Sequence, residues 1–330
     1  MARIFLTHTP DMLANYYGEH ALAGLKKLGE VRTHQGGEVL DALALASAAR
    51  GCEIIVSDRQ TPGPAAFFRK ASDLAAFLRC AVDIRNIDVD AASAEGVLVT
   101  RASPGFAASV AEMALGMMVD LARNVSRSVI AYRAGRSPEV TMGRQLRGAI
   151  LGIIGYGAIG KVLAPLGVAL GMRVLVADPY QAVDEPALKK VELAALLAES
   201  DFIVCLAVAN EATENLVDAA AFALMKPSAY FINLSRGNLV DEAALARALD
   251  EGKIAGAAMD VGRAPDQMPS PALAARADVI ATPHIAGLTP EAIEHQALET
   301  VQQVAELLAG RIPNGAVNAA SASRIVRLIT

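Results

Sequence analysis

The sequence predicts an α/β protein of two doubly wound parallel-sheet domains, one inserted into the other. Three observations carry that expectation. Short β-branched runs alternate with alanine- and leucine-rich stretches of helical length through most of the chain, the pattern of repeated βαβ units. A length of 330 residues exceeds what one hydrophobic core usually fills. The most apolar stretch, Gly148 to Met172, carries Lys161 as its only charge but is broken by glycines and Pro165. It reads as a strand, turn and helix buried between two layers rather than a membrane span.

In chain order, Arg3–Leu6 reads as a strand and Tyr16–Leu28 as an amphipathic helix. Glu53–Val56, Asp83–Ile87 and Val97–Thr100 read as strands or strand edges, with a helix end at Asp73–Arg79 between two of them. Ser103-Pro104-Gly105 then redirects the backbone. Ala107 to Ala134 has few breakers and reads as one long helix. Beyond it the spacing predicts strand Ala149–Ile154, helix Lys161–Leu170, strand Arg173–Ala177, helix Ala187–Leu197 and strand Phe202–Ala207. Helix Glu214–Leu224, strand Ala229–Asn233, helix Asp241–Asp250, strand Gly256–Met259 and strand Asp278–Ala281 follow. A last helix begins at Pro290, where a proline in the first turn costs little. The layout places residues 103–287 as a domain inserted into another formed by 1–102 and 288–330. Periodicity alone does not prove that the C-terminal segment returns to the first part.

Composition excludes several classes. A formal charge of -5, with no basic stripe, argues against a nucleic-acid partner. Five histidines form no HExxH pair and no close cluster with cysteine, so no metal site is expected. Cys52, Cys80 and Cys205 are widely spaced in apolar surroundings and read as reduced core thiols of a cytoplasmic protein. The first residues form a strand rather than a signal peptide, and no membrane partner is expected.

The clearest chemical signal is Gly155-Tyr156-Gly157-Ala158-Ile159-Gly160. It follows an apolar strand and opens a helix, the context in which GxGxxG binds a dinucleotide. The glycines supply a tight turn, room for the pyrophosphate and close contact between helix and strand, while the helix N-terminus faces the phosphates. Asp178 ends the next strand, 18 residues after Gly160. A carboxylate there accepts ribose hydroxyls of NAD and repels the extra phosphate of NADP. The expected cofactor is NAD, held in a Rossmann-like domain.

Further motifs follow in order: Val110-Ala111-Glu112, Asp178-Pro179-Tyr180, Asn233-Leu234-Ser235-Arg236-Gly237, Gly256 to Val261, Thr282-Pro283-His284 and Asn314-Gly315-Ala316-Val317-Asn318. With the glycine loop, they make the chain resemble the D-isomer-specific 2-hydroxyacid dehydrogenases over nearly its whole length. The resemblance implies a split substrate domain, a cleft between domains, a homodimer formed through the long helix, and a small carboxylic acid as substrate. It makes Arg236 the residue that holds the substrate carboxylate and polarises the carbonyl, a task suited to a guanidinium fork. His284 becomes the general acid and base, titrating in the right range. Val208, Asn210 and Asp260 join the cofactor side.

Two departures make the expected substrate atypical. The family's glutamate, five residues after the position of Asp260, is Pro265 here, so the histidine lacks its usual charged partner. Asp266 is adjacent and could substitute if the loop is shifted by one residue. The segment Ala81-Val82-Asp83-Ile84-Arg85-Asn86-Ile87-Asp88 stands where the family has a GxGxDNID-like run facing the substrate carboxylate. Ala81, Val82, Asp83 and Arg85 are therefore the candidate substrate residues. Asp83 repels a carboxylate unless it points away or pairs with Arg85. The alternative to a dehydrogenase is an NAD(H)-binding regulatory protein with little or no activity.

Overall fold

The computed structural model describes residues 1–329. They form two compact units, Met1–Gly105 with the chain from Pro290 onward, and Phe106–Thr289. Each is a parallel α/β sandwich.

The first unit holds five strands: β1 (Ala2–Leu6), β2 (Gly29–Thr33), β3 (Ile54–Ser57), β4 (Ala76–Arg79) and β5 (Leu98–Arg101). All pair in parallel, in the order β2-β1-β3-β4-β5, so the winding reverses between β1 and β3. The helix Pro290–Leu308 packs Ala297, Val304 and Leu307 with Tyr17, Ala21 and Leu25 on one face of this sheet. Phe67, Phe68 and Phe77 form an edge-to-face aromatic cluster on the other.

The second unit adds β6 (Ile150–Ile154), β7 (Arg173–Ala177), β8 (Leu188–Lys190), β9 (Phe202–Cys205), β10 (Tyr230–Asn233), β11 (Gly256–Met259) and β12 (Val279–Ala281). Their order is β12-β11-β10-β9-β6-β7-β8, again all parallel. This is the doubly wound dinucleotide arrangement, reversing at β6 and β9, where ligands sit beyond the carboxyl ends of the strands. The helix Ala107–Arg123 buries Val110, Ala114, Met117, Met118 and Leu121 against Leu163 and Ala164 of the helix Ala158–Ala169. Each buried Val, Leu or Met among them contributes roughly 1.5–3 kcal/mol.

Several elements differ from the sequence reading. Asp73–Arg79 is not a helix end: Ala76–Arg79 is β4, buried along its whole length. A four-residue strand covered on both faces has no periodicity to separate it from a helix. Asp83–Ile87 is a turn, with the Asp83 carboxylate accepting the Arg85 N–H at 3.0 Å, the local bond that pulls Asp out of strands. Tyr16–Leu28 is two helices, Pro10–Tyr16 and Glu19–Leu28, broken at Gly18 with φ +86°. The long helix breaks at Asn124, whose φ of 54° is left-handed, and resumes as Val125–Arg133. Ala187–Leu197 divides into edge strand β8 and helix Leu193–Glu199, and Glu214–Leu224 is helical only over Ala219–Leu224, with a 3-10 turn at Glu211–Thr213 ahead of it. The sequence reading overlooked β2 and the helix Ala42–Ala48.

Candidate active site

The glycine loop at the end of β6 has the geometry its spacing implies. Gly155 sits at φ +94°, and a Cβ there meets the Ala207 main chain at 2.6 Å. A Cβ on Gly160 falls 2.6 Å from the Gly155 carbonyl, whereas one on Gly157 meets nothing within 4 Å. The first and third glycines therefore serve close backbone packing, and the second faces open space at the helix start. Gly157 caps the helix Ala158–Ala169 without any side-chain bond, which leaves first-turn N–H groups for an anion. Beside them, Asp178 accepts the N–H groups of Tyr156, Tyr180 and Gln181 at 2.7–3.0 Å. Burial alone raises its carboxyl, but these donors and Lys190 hold it below the ordinary carboxylate range. A carboxylate accepts about four hydrogen bonds, so Asp178 keeps capacity for a ribose hydroxyl. Loop and acid together fit a dinucleotide.

The neighbouring strand ends are built for display. After β9, Val208 is exposed, and Asn210 spends its side-chain oxygen on Ala212 N–H as the cap of the 3-10 turn. At the end of β10, fully buried Asn233 donates to the Arg236 carbonyl and accepts from Ser235 N–H. Ser235 Oγ donates to the Ala207 carbonyl at 2.6 Å. A Cβ on Gly237 overlaps the Gly262 carbonyl carbon at 2.1 Å. These contacts fix the loop that carries Arg236, whose guanidinium donates to the Ser235 carbonyl at 2.7 Å. The sequence reading quoted Asn233 in a motif without giving it this work.

Asp260, after β11, is buried and acts as a clamp. Its carboxylate accepts Thr282 Oγ1 at 2.6 Å and the N–H groups of Ile285 and Ala286 at 2.8 Å, and its carbonyl accepts His284 N–H at 2.9 Å. The clamp holds His284 at φ 57°. The imidazole Nδ1 lies 3.0 Å from the main-chain carbonyl of Asp266. Asp266, the expected substitute for the family's glutamate, thus meets the histidine through its main-chain carbonyl. Asp266 and Gln267 are both left-handed, at φ 56° and 58°, at a cost of roughly 1–2 kcal/mol per residue. Left-handed backbone at Asp266, Gln267 and His284 itself, with Asp266 bonded to the imidazole, points to function rather than to packing.

In the first unit, Asp83 pairs with Arg85, whose Nη2 lies 2.6 Å from Oδ2 while Nε spans both oxygens. The pair neutralises the acid and removes the repulsion that Asp83 alone would impose. The N–H groups of Ala81 and Val82, just past β4, have no acceptor among the described residues. Beneath them lies a polar cluster the sequence did not announce. Fully buried Arg79 donates to the carbonyls of Asp58 and Thr61 and to Asn86 Oδ1, and burial lowers its pKa to about 10. Asp58 accepts both hydroxyls of Thr7 and Thr61 and the N–H groups of Gln60 and Thr61. Burial pushes its carboxyl up, but those donors and His8 bring it below the usual range. Reading β4 as a helix end hid Arg79. Cys80 is an inert core thiol, pushed by burial to about 12.

Two parallel sheets, a fitted dinucleotide loop, and an arginine and a histidine beyond the ends of β10 and β12 are the parts of a nucleotide-dependent oxidoreductase class. The comparisons agree. Residues 115–286 match the D-isomer specific 2-hydroxyacid dehydrogenase NAD-binding domain. The chain is 34% identical over 305 residues to the (S)-sulfolactate dehydrogenase of Chromohalobacter salexigens, covering 91% of this chain and 98% of that one. It is 32% identical to the D-3-phosphoglycerate dehydrogenase of Methanocaldococcus jannaschii, covering 91% of this chain but 57% of that longer one. The solved structure of a D-2-hydroxyisocaproate dehydrogenase superposes with a TM-score of 0.85 at 26% identity, covering 96% of this chain and all of that one. This chain belongs to the D-isomer-specific 2-hydroxyacid dehydrogenase family. Among the described residues no helix is long and apolar enough to cross a membrane.

Proposed function

We propose that the protein interconverts a D-2-hydroxy acid and its 2-keto acid, with NAD preferred over NADP. The observation that carries this reading is His284, held so that Nδ1 is bonded and Nε2 remains for proton exchange. The nicotinamide cofactor, when bound, supplies or accepts the hydride. In reduction, Arg236 grips the substrate carboxylate and draws electron density from the carbonyl, while His284 delivers the Nε2 proton to the carbonyl oxygen. In oxidation, neutral His284 takes the hydroxyl proton at the same atom. On the first unit, the N–H groups of Ala81 and Val82 are donors of the kind a carboxylate takes, and the Asp83–Arg85 pair beside them adds no net charge. Asp178 carries the preference for NAD.

The named relatives include a sulfolactate and a phosphoglycerate dehydrogenase as well as a 2-hydroxyisocaproate dehydrogenase, so size and charge at C3 are the open axis of specificity. Exposed Val129, Ile130 and Tyr132 on the helix Val125–Arg133 support a homodimer through the long helical segment. The test is NADH consumption across 2-keto acids graded from glyoxylate to aromatic, phosphorylated and sulfonated members. Turnover of at least one, lost in His284→Ala, is the expected result. NADH binding without turnover of any member overturns the dehydrogenase reading in favour of a cofactor-sensing protein.

A further inference from the structure

We propose that the main-chain carbonyl of Asp266 is the positioning partner of His284, a neutral dipole in place of a carboxylate. The inference rests on the catalytic reading of His284 and assigns the group that orients it. A carbonyl oxygen only accepts, so the 3.0 Å contact requires the proton on Nδ1 and leaves Nε2 as the exchanging atom.

The loop is constructed to hold that carbonyl out. Pro265 opens a 3-10 turn over Pro265–Gln267, and the left-handed conformations of Asp266 and Gln267 turn the chain within it. The turn is closed on itself by Gly262 N–H to the Gln267 carbonyl at 2.8 Å, Gln267 N–H to Ala264 at 3.0 Å and Ala264 N–H to Met268 at 3.1 Å. Gly262 admits no Cβ, because Pro269 Cα stands 2.5 Å from where it would lie. From the other side, Asp260 fixes the histidine backbone.

No carboxylate takes the imidazole proton. Asp260 is committed to Thr282, Ile285 and Ala286, and Glu242 binds Arg263 N–H. Arg263, the nearby cation of this loop, is paired with Glu214. The exposed Asp266 carboxylate is the group the proposal must be tested against. A proline at position 265 is therefore more than a lost glutamate: it starts the turn that supplies the replacement.

Three variants and one spectrum test this. Asparagine tolerates the left-handed region and keeps the carbonyl, whereas valine is an outlier there. Asp266→Asn is expected to keep kcat within about twofold, and Asp266→Val to lose about tenfold or more with KM for NADH unchanged. Pro265→Glu brings a carboxylate within reach and is expected to move the midpoint of the kcat/KM pH profile upward by about one unit. In the unaltered protein, 15N spectra of labelled histidine, assigned by loss in His284→Gln, should show the Nδ1-protonated tautomer; this arm stands even where Asp266→Val does not fold. Equal losses in Asp266→Asn and Asp266→Val make the carboxylate the working group and overturn the proposal, as does an Nε2-protonated tautomer. Turnover surviving in His284→Ala instead sinks the catalytic reading of the histidine itself.

Discussion

The strand ends of the two sheets are finished in opposite ways. Beyond the first sheet, charged groups are sunk: the Asp58 carboxylate is held by hydroxyls and N–H groups and the Arg79 guanidinium by carbonyls, with Arg79 Nε left without a partner among the described residues. Beyond the second, the backbone is strained and its functional atoms are left with open capacity, as at Gly157, Asp178 and His284. The first arrangement makes a rigid platform. The second spends stability to present groups to a ligand, which is what distinguishes a site from a foundation.

The contrast can be broken most sharply at the second sheet. His284→Ala should lower kcat by about 10²–10⁴ in single-turnover assays, with thermal stability changed little because the Asp260 clamp holds this segment through main-chain N–H groups that alanine keeps. At the first sheet the order inverts. Asp58→Ala removes the acceptor of Thr7, Gln60 and Thr61 and the counter-charge near buried Arg79, and should cost about 3–5 kcal/mol in denaturant unfolding.

The same cluster sets a pH dependence. Burial, with Arg79 nearby, depresses His8 to about 4 against a partly opposing Asp58, so the unfolded chain binds its proton first. Stability is complete above about pH 6.5 and falls as pH drops toward about 4, by up to about 3 kcal/mol. His8→Phe should flatten that limb in denaturation curves measured across the range. An unchanged limb would assign acid sensitivity elsewhere. The smallest effect sharpens the cofactor side: Asp178→Ser should raise the NADPH-to-NADH ratio of kcat/KM about tenfold, and no change would detach Asp178 from the ribose.

Legibility in the sequence followed the same division. The glycine loop and the strands β6, β7, β10 and β11 were readable because they join backbone demands to long apolar runs with turn residues at both ends. Arg236 and His284 were found through motif and resemblance. The Asp266 carbonyl was not, since a main-chain acceptor leaves no trace in residue identity; only Pro265 hinted that something had moved. Arg79 was hidden because a buried arginine at the end of a four-residue strand looks like the charged end of a helix. Breaks at Gly18 and Asn124 were missed because one residue of positive φ scarcely alters hydrophobic periodicity.

The helix Pro290–Leu308 fills the face of the first sheet, with Thr300 bonded to Tyr17 and Gln303 to Thr100. During synthesis that helix emerges only after residues 106–289 have been made. At about 5–20 residues per second, the apolar surface around Tyr17 and Leu25 waits on the order of ten to forty seconds for its cover. The amino-terminal part of the chain thus keeps apolar surface uncovered for longest, while the inserted dinucleotide domain, contiguous in sequence, can close its own core first.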